Sequence, residues 1–191
     1  IVSVTLTLNK IAFMAKKQKH TEQFQNFNIV VFGGTGDLAL RKIYPALYHR
    51  YIDGQLNCKY NIIAITRKTD QEQTFRSQVR LFLEKNLERS KTNKSEIEAF
   101  MTNIHLTVAK EPSVEGYKSL KTFLNKHKDF QNIYYFSTPS RAFGPISKAL
   151  KASDLAGKNS KVVLEKPLGH SLESSISIND EITQAFEESQ I

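Results

Sequence analysis

Five short apolar runs, at 28–32, 62–66, 104–108, 133–137 and 162–164, punctuate this chain, and each is bounded by polar or turn-forming residues. They are nearly all apolar instead of alternating, which is how strands buried on both faces of a parallel sheet read. Between them lie stretches with helical spacing: Ile43, Leu47 and Tyr51; Phe75, Val79, Phe82 and Leu87; Leu120 and Leu124; Ile146 and Leu150. Ser171 suits the N-cap of a last helix that carries Ile178, Ile182 and Phe186 on one face. The tract 89–98, RSKTNKSEIE, reads as a polar loop between helices. Strands alternating with helices predict a doubly wound α/β sheet, mostly parallel, with ligands gathering at the carboxyl ends of its strands.

A chain of 191 residues, 40% of them hydrophobic, can bury one substantial core. A single domain over 27–191 is therefore expected, preceded by a polar, poorly ordered extension over 1–26. Within that extension Met14 opens MAKKQKH and is a candidate translation start, with residues 1–13 as upstream sequence. The order of apolar and basic residues there is the reverse of a secretory signal. No apolar run approaches the ~20 residues that cross a bilayer, so no membrane partner is expected. The single cysteine, Cys58, cannot form an intrachain disulfide and favours a reducing, cytoplasmic compartment.

The net charge of +8 suits an anionic partner. It selects no specific nucleic acid, because the basic residues are spread over helical patterns without interleaved aromatics. His20, His49, His105, His127 and His170 show no metal-ligand spacing, and no nucleophile elbow is present. No metal site is expected.

Three stretches carry possible chemistry. Directly after the first apolar run comes GGTGDLALRK, with Gly33, Gly34 and Gly36 between a predicted strand and a predicted helix. Residues without Cβ atoms let a backbone turn tightly and approach a pyrophosphate, with N–H groups at the helix start facing the anion. The spacing departs from GxGxxG, and a bare strand-to-helix turn stays open as the alternative. The second run ends in TRKTD, which puts Arg67 and Lys68 where a dinucleotide-binding unit selects its ribose. An acid there would hold the 2′-hydroxyl of NAD, whereas a basic residue accommodates the 2′-phosphate of NADP. The alternative is two solvated cations after a strand. The fifth run continues into EKPLG, so that Lys166 stands at a strand's carboxyl end and Pro167 forces a non-helical path, with a cis bond as one way to make it.

Taken in order, FGGTGDLALRKIYPALYHRYIDGQL, IYYFSTPSRAFGPI and VVLEKPLGHSLESS resemble the amino-terminal half of glucose-6-phosphate dehydrogenases of the bacterial type, over about 28–191. The resemblance implies a Rossmann-like domain with NADP as cofactor and NAD as a second possibility. It implies Gly33, Gly34, Thr35, Gly36, Asp37 and Leu38 in the cofactor loop, Arg67 on the 2′-phosphate, Pro139 in the loop after the fourth strand, and Lys166 between nicotinamide and sugar. Leu40 stands where a basic residue is common, and Ser140-Arg141 where Pro-Ser is usual.

The implied reaction oxidises glucose 6-phosphate at C1 to the 6-phosphogluconolactone, in an enzyme that is homo-oligomeric at full length. In the family a segment like EESQI leads into an RIDHYLGK-type sugar-phosphate motif, and a general-base histidine follows in a separate domain. On that expectation the catalytic histidine lies beyond Ile191, and these residues alone are inactive, since losing the base costs on the order of 10²-fold or more. The competing expectation is a standalone NADP-binding module without catalysis.

Overall fold

In the computed structural model, which describes residues 24–69, 71–85, 93–168 and 171–191, the five apolar runs are strands. They are β1 (Phe27–Phe32), β2 (Tyr60–Thr66), β3 (Ile104–Val108), β4 (Gln131–Phe136) and β5 (Ser160–Leu164). All pairings are parallel, in the order β3-β2-β1-β4-β5. Among the described residues six α-helices cover the sheet: α1 (Tyr44–Ile52), α2 (Glu72–Lys85), α3 (Lys94–Met101), α4 (Lys118–Asn125), α5 (Phe143–Ala152) and α6 (Leu172–Thr183). Residues 1–23 of the anticipated extension lie outside the described residues.

Alternate residues of β1 serve the two faces, as a strand's period of two requires. Ile29 and Val31 pack with Leu47, Tyr48, Phe75 and Phe100 from α1 to α3. Val30 and Phe32 pack on the other side with Leu120, Leu150 and Ile182 from α4 to α6. Two cores on one sheet make the arrangement doubly wound, and the strand order reverses beside β1, where β2 lies on one side and β4 on the other. A crevice opens at that reversal.

One buried polar row crosses this apolar sheet. Asn28, fully buried, donates from its amide to Asn132 Oδ1 at 2.9 Å and accepts from Asn61 Nδ2 at 2.8 Å. The three asparagines are register partners on β2, β1 and β4. A one-residue slip of either pairing would leave them unbonded, so the row pins the register that aligns the strand ends. Replacing Asn28 with alanine is expected to destabilise the fold by about 2–3 kcal/mol, because two partly buried amides lose a partner at once. Urea denaturation measures this, and a change below about 0.5 kcal/mol would show the row to be dispensable.

Two expectations change. The tract 89–98 is not wholly a loop, because α3 takes residues from Lys94 onward; residues 86–92 lie outside the described residues. Asn93 caps α3 by accepting from the Ser95 amide at 3.0 Å, while Ile97, Phe100 and Met101 are buried. The lysines and glutamates hid this short apolar face. Ser171 does cap α6 and forms a capping box with Ser174, but Phe186 lies past the helix end, buried with Tyr134 in the second core.

Candidate dinucleotide site

The chain leaves β1 through a turn that only the glycine pair can make. Gly33 has φ +77°, and a Cβ there would stand 2.5 Å from the Ser137 carbonyl oxygen. At Gly34 a Cβ would meet the Ala64 backbone at 2.7 Å, because the loop lies flat against β2. Three backbone bonds fix this position. Gly34 N–H donates to the Ile65 carbonyl at 3.1 Å, Gly36 N–H to that of Gly33 at 2.9 Å, and Ser137 N–H to that of Phe32 at 3.0 Å. The loop is thus clamped between the carboxyl ends of β2 and β4.

Below the loop the helix begins irregularly. Residues 39–43 form a π-helical turn, in which the Tyr44 N–H reaches the Ala39 carbonyl. Pro45 follows directly and lacks an N–H, so the regular i to i−4 ladder is interrupted here in any case. Tyr44, fully buried, donates its hydroxyl to the Gly34 carbonyl. Burial pushes the pKa of this phenol far up, so it remains a neutral donor. The helical spacing of Ile43, Leu47 and Tyr51 does not reveal this prop.

The first regular helical bond is Leu40 N–H to the Gly36 carbonyl at 3.1 Å. The amides of residues 37–39 therefore precede the intrahelical ladder, as at any helix start. Asp37 and Leu38 belong to this first turn and do not line the cavity above the loop. The Asp37 carboxylate instead pairs with Arg41 at 2.5 Å, on the surface.

A cavity of about 560 Å³ opens above the loop, at the carboxyl ends of β1, β2 and β4. It brings together Gly33, Thr35, Gly36, Arg67 and Pro139 from the sequence-derived set. Thr66, almost fully buried, ties its β2 side together: its hydroxyl oxygen accepts from the Thr35 hydroxyl at 3.4 Å and from the Lys68 amide at 3.2 Å. The exposed side chains of Arg67 and Lys68 line the same wall. At this strand end Thr66 is followed directly by the two cations.

Sequence reasoning missed several wall residues. Thr74 and Gln78, four apart on α2, line the cavity beside Phe75. The helical stripe of Phe75, Val79 and Phe82 does not include them. Ser137 and Thr138 just past the end of β4 also line it, and their buried hydroxyls have no hydrogen-bond partner among the described residues. Four other such hydroxyls, of Tyr48, Tyr60, Ser147 and Ser153, lie away from the cavity, whereas these two adjoin a space shaped by glycines and flanked by cations, where a ligand can serve them. The donors, the close-approach backbone and the positive wall fit a phosphorylated dinucleotide.

Lys166 lies elsewhere. It is exposed past the end of β5, beyond β4 as seen from the glycine loop, and does not line this cavity. Its neighbour Glu165 accepts a hydrogen bond from the hydroxyl of Tyr135, whose pKa is raised by burial first and then by that carboxylate. The Lys166–Pro167 peptide is cis. Among the described residues no cluster of His, Cys, Asp and Glu could hold a metal ion, and no helix is long and apolar enough to cross a membrane.

Comparison with known proteins agrees with this architecture. The family described as "Glucose-6-phosphate dehydrogenase, NAD binding domain" matches residues 30–191. The glucose-6-phosphate 1-dehydrogenase of Rhizobium meliloti is 35% identical over 165 residues, covering 86% of this chain and 34% of the relative. That of Bacillus subtilis is 30% identical over 178 residues, covering 90% of this chain and 35% of the relative. A solved glucose-6-phosphate dehydrogenase in complex with its substrate glucose-6-phosphate superposes with a TM-score of 0.76 at 25% identity, over 90% of this chain and 37% of that one. The chain thus spans about a third of the length of these relatives. With its all-parallel sheet, its glycine loop after β1 and the match over 30–191, this chain belongs to the glucose-6-phosphate dehydrogenase NAD binding domain family.

Proposed function

We propose that residues 27–191 form the cofactor domain of a glucose-6-phosphate dehydrogenase that binds NADP, with NAD as the weaker ligand. The observation that carries this reading is the placement of Arg67, exposed on the cavity wall at the end of β2 with Lys68 next to it. A planar guanidinium can grip a phosphate through two hydrogen bonds, so it rewards the 2′-phosphate that distinguishes NADP. Gly33, Gly34, Thr35 and Gly36 bring backbone against the pyrophosphate, and Asp37 and Leu38 contribute the first-turn amides. Pro139 borders the nicotinamide side.

Bound NADP would supply the hydride acceptor for oxidation of glucose 6-phosphate at C1 to the lactone. Lys166 is assigned to hold sugar and nicotinamide at the end of β5, with the Tyr135–Glu165 bond fixing the segment that carries it. The free thiol of Cys58 is compatible with a reducing, cytoplasmic setting, and the family relationship supports a homo-oligomer at full length. Calorimetric titration tests the cofactor assignment. Saturable binding of NADP, tighter than that of NAD, is the expected result; no binding of either at millimolar concentration would end it.

A further inference from the structure

Arg41, the arginine closest in sequence to the glycine loop, is committed elsewhere: it pairs with Asp37 at 2.5 Å and its guanidinium lies 5.8 Å from the Phe82 ring centre. Among the described residues lining the cavity, the arginines and lysines are Arg67 and Lys68 on the β2 side and Arg141 on the β4 side. Glu111 is the only acid there. Arg141 makes no hydrogen bond or ion pair with any described residue, and its side chain is exposed at the cavity.

Its backbone is nevertheless fixed. Arg141 is the middle residue of a 3-10 turn, Ser140–Ala142, closed by the Ala142 N–H on the Pro139 carbonyl at 2.9 Å. Phe143, fully buried, anchors the next residue but one. The segment leading into this turn is the one that the glycine loop abuts, since a Cβ on Gly33 would strike Ser137 and Thr138. A guanidinium tethered here has no acceptor among the described residues and stands at the wall of a cavity whose loop approaches anions.

We infer that Arg141 grips the pyrophosphate of the dinucleotide from the β4 side, a third cation that complements Arg67 and Lys68 but is blind to the 2′-phosphate. This rests on the cofactor reading above. Both dinucleotides carry the pyrophosphate, so Arg141 adds affinity without selecting between them, while Arg67 selects.

Calorimetric titration of the wild type, Arg141→Ala and Arg141→Lys with NADP and with NAD tests this, with NAD followed by displacement where its binding is weak. Arg141→Ala is expected to weaken both about tenfold and leave their ratio within twofold, and to flatten the salt dependence of binding. Arg141→Lys is expected to recover part of the loss, and the unfolding midpoint of each variant to match the wild type. A loss below twofold on both ligands, or one confined to NADP, overturns the assignment. If the wild type itself binds neither ligand, the cofactor reading fails and this inference falls with it; if the wild type binds and Arg141→Ala binds both ligands within twofold of it, Arg141 alone is refuted.

Discussion

Gly33→Ala is expected to abolish measurable NADP binding and to destabilise the fold by about 2–5 kcal/mol. The two contributions have separate origins. At φ +77° an L-residue suffers the clash of its Cβ with its own backbone, about 1–2 kcal/mol. The added methyl also meets the Ser137 carbonyl at 2.5 Å, and overpacking of a fixed backbone typically costs about 1–3 kcal/mol more. Ser137 cannot retreat freely, because its own N–H is bonded to Phe32 across the β1–β4 pair. The strain therefore spreads into the loop, which must move out into the cavity where the pyrophosphate would lie. Urea denaturation and calorimetry measure the two effects. A variant with wild-type stability and an affinity within twofold of normal would show that the turn's geometry is incidental.

Arg67→Ala is expected to weaken NADP by about 10- to 100-fold and NAD by less than threefold, the range that one or two charge-assisted hydrogen bonds supply. The effect should shrink at high salt, since the side chain is exposed and its charge is screened over about 10 Å at 0.1 M. Lys68 stands next to it on the same wall and would retain part of the phosphate attraction, so Arg67→Ala should not abolish NADP binding. An equal loss for both dinucleotides would remove the 2′-phosphate from Arg67 and leave the arginine as a general anion contact. That pattern is the one assigned to Arg141, so the two arginines make opposite predictions for the same pair of ligands.

Much of this fold was legible because its signals are local. Strands buried on both faces betray themselves by unbroken apolar runs, and all five fell where expected to within two residues at each end. The glycine loop was legible for the same reason, as a cluster between a strand and a helix. What stayed hidden depends on contacts between distant segments. The α3 helix looked polar because only Ile97, Phe100 and Met101 face inward. The asparagine row could not be read without the register that aligns Asn61, Asn28 and Asn132. The prop under the loop needs Tyr44 to fold back ten residues onto Gly34, and the cavity wall recruits Thr74 and Gln78, which lie outside the apolar stripe of α2. For Asp37 the resemblance implies a place in the cofactor loop, and the structure adds that its carboxylate pairs with Arg41.

The central claim, that the cavity above the glycine loop seats NADP with its 2′-phosphate on Arg67, is tested most directly by a crystal structure of the chain grown with saturating NADP. The expected result is a dinucleotide lying across the ends of β2, β1 and β4, its 2′-phosphate within hydrogen-bond reach of the Arg67 guanidinium and its pyrophosphate over residues 33–36. A dinucleotide bound elsewhere, one reversed so that its adenosine lies at Pro139, or an unchanged empty cavity at a saturating concentration would contradict the account.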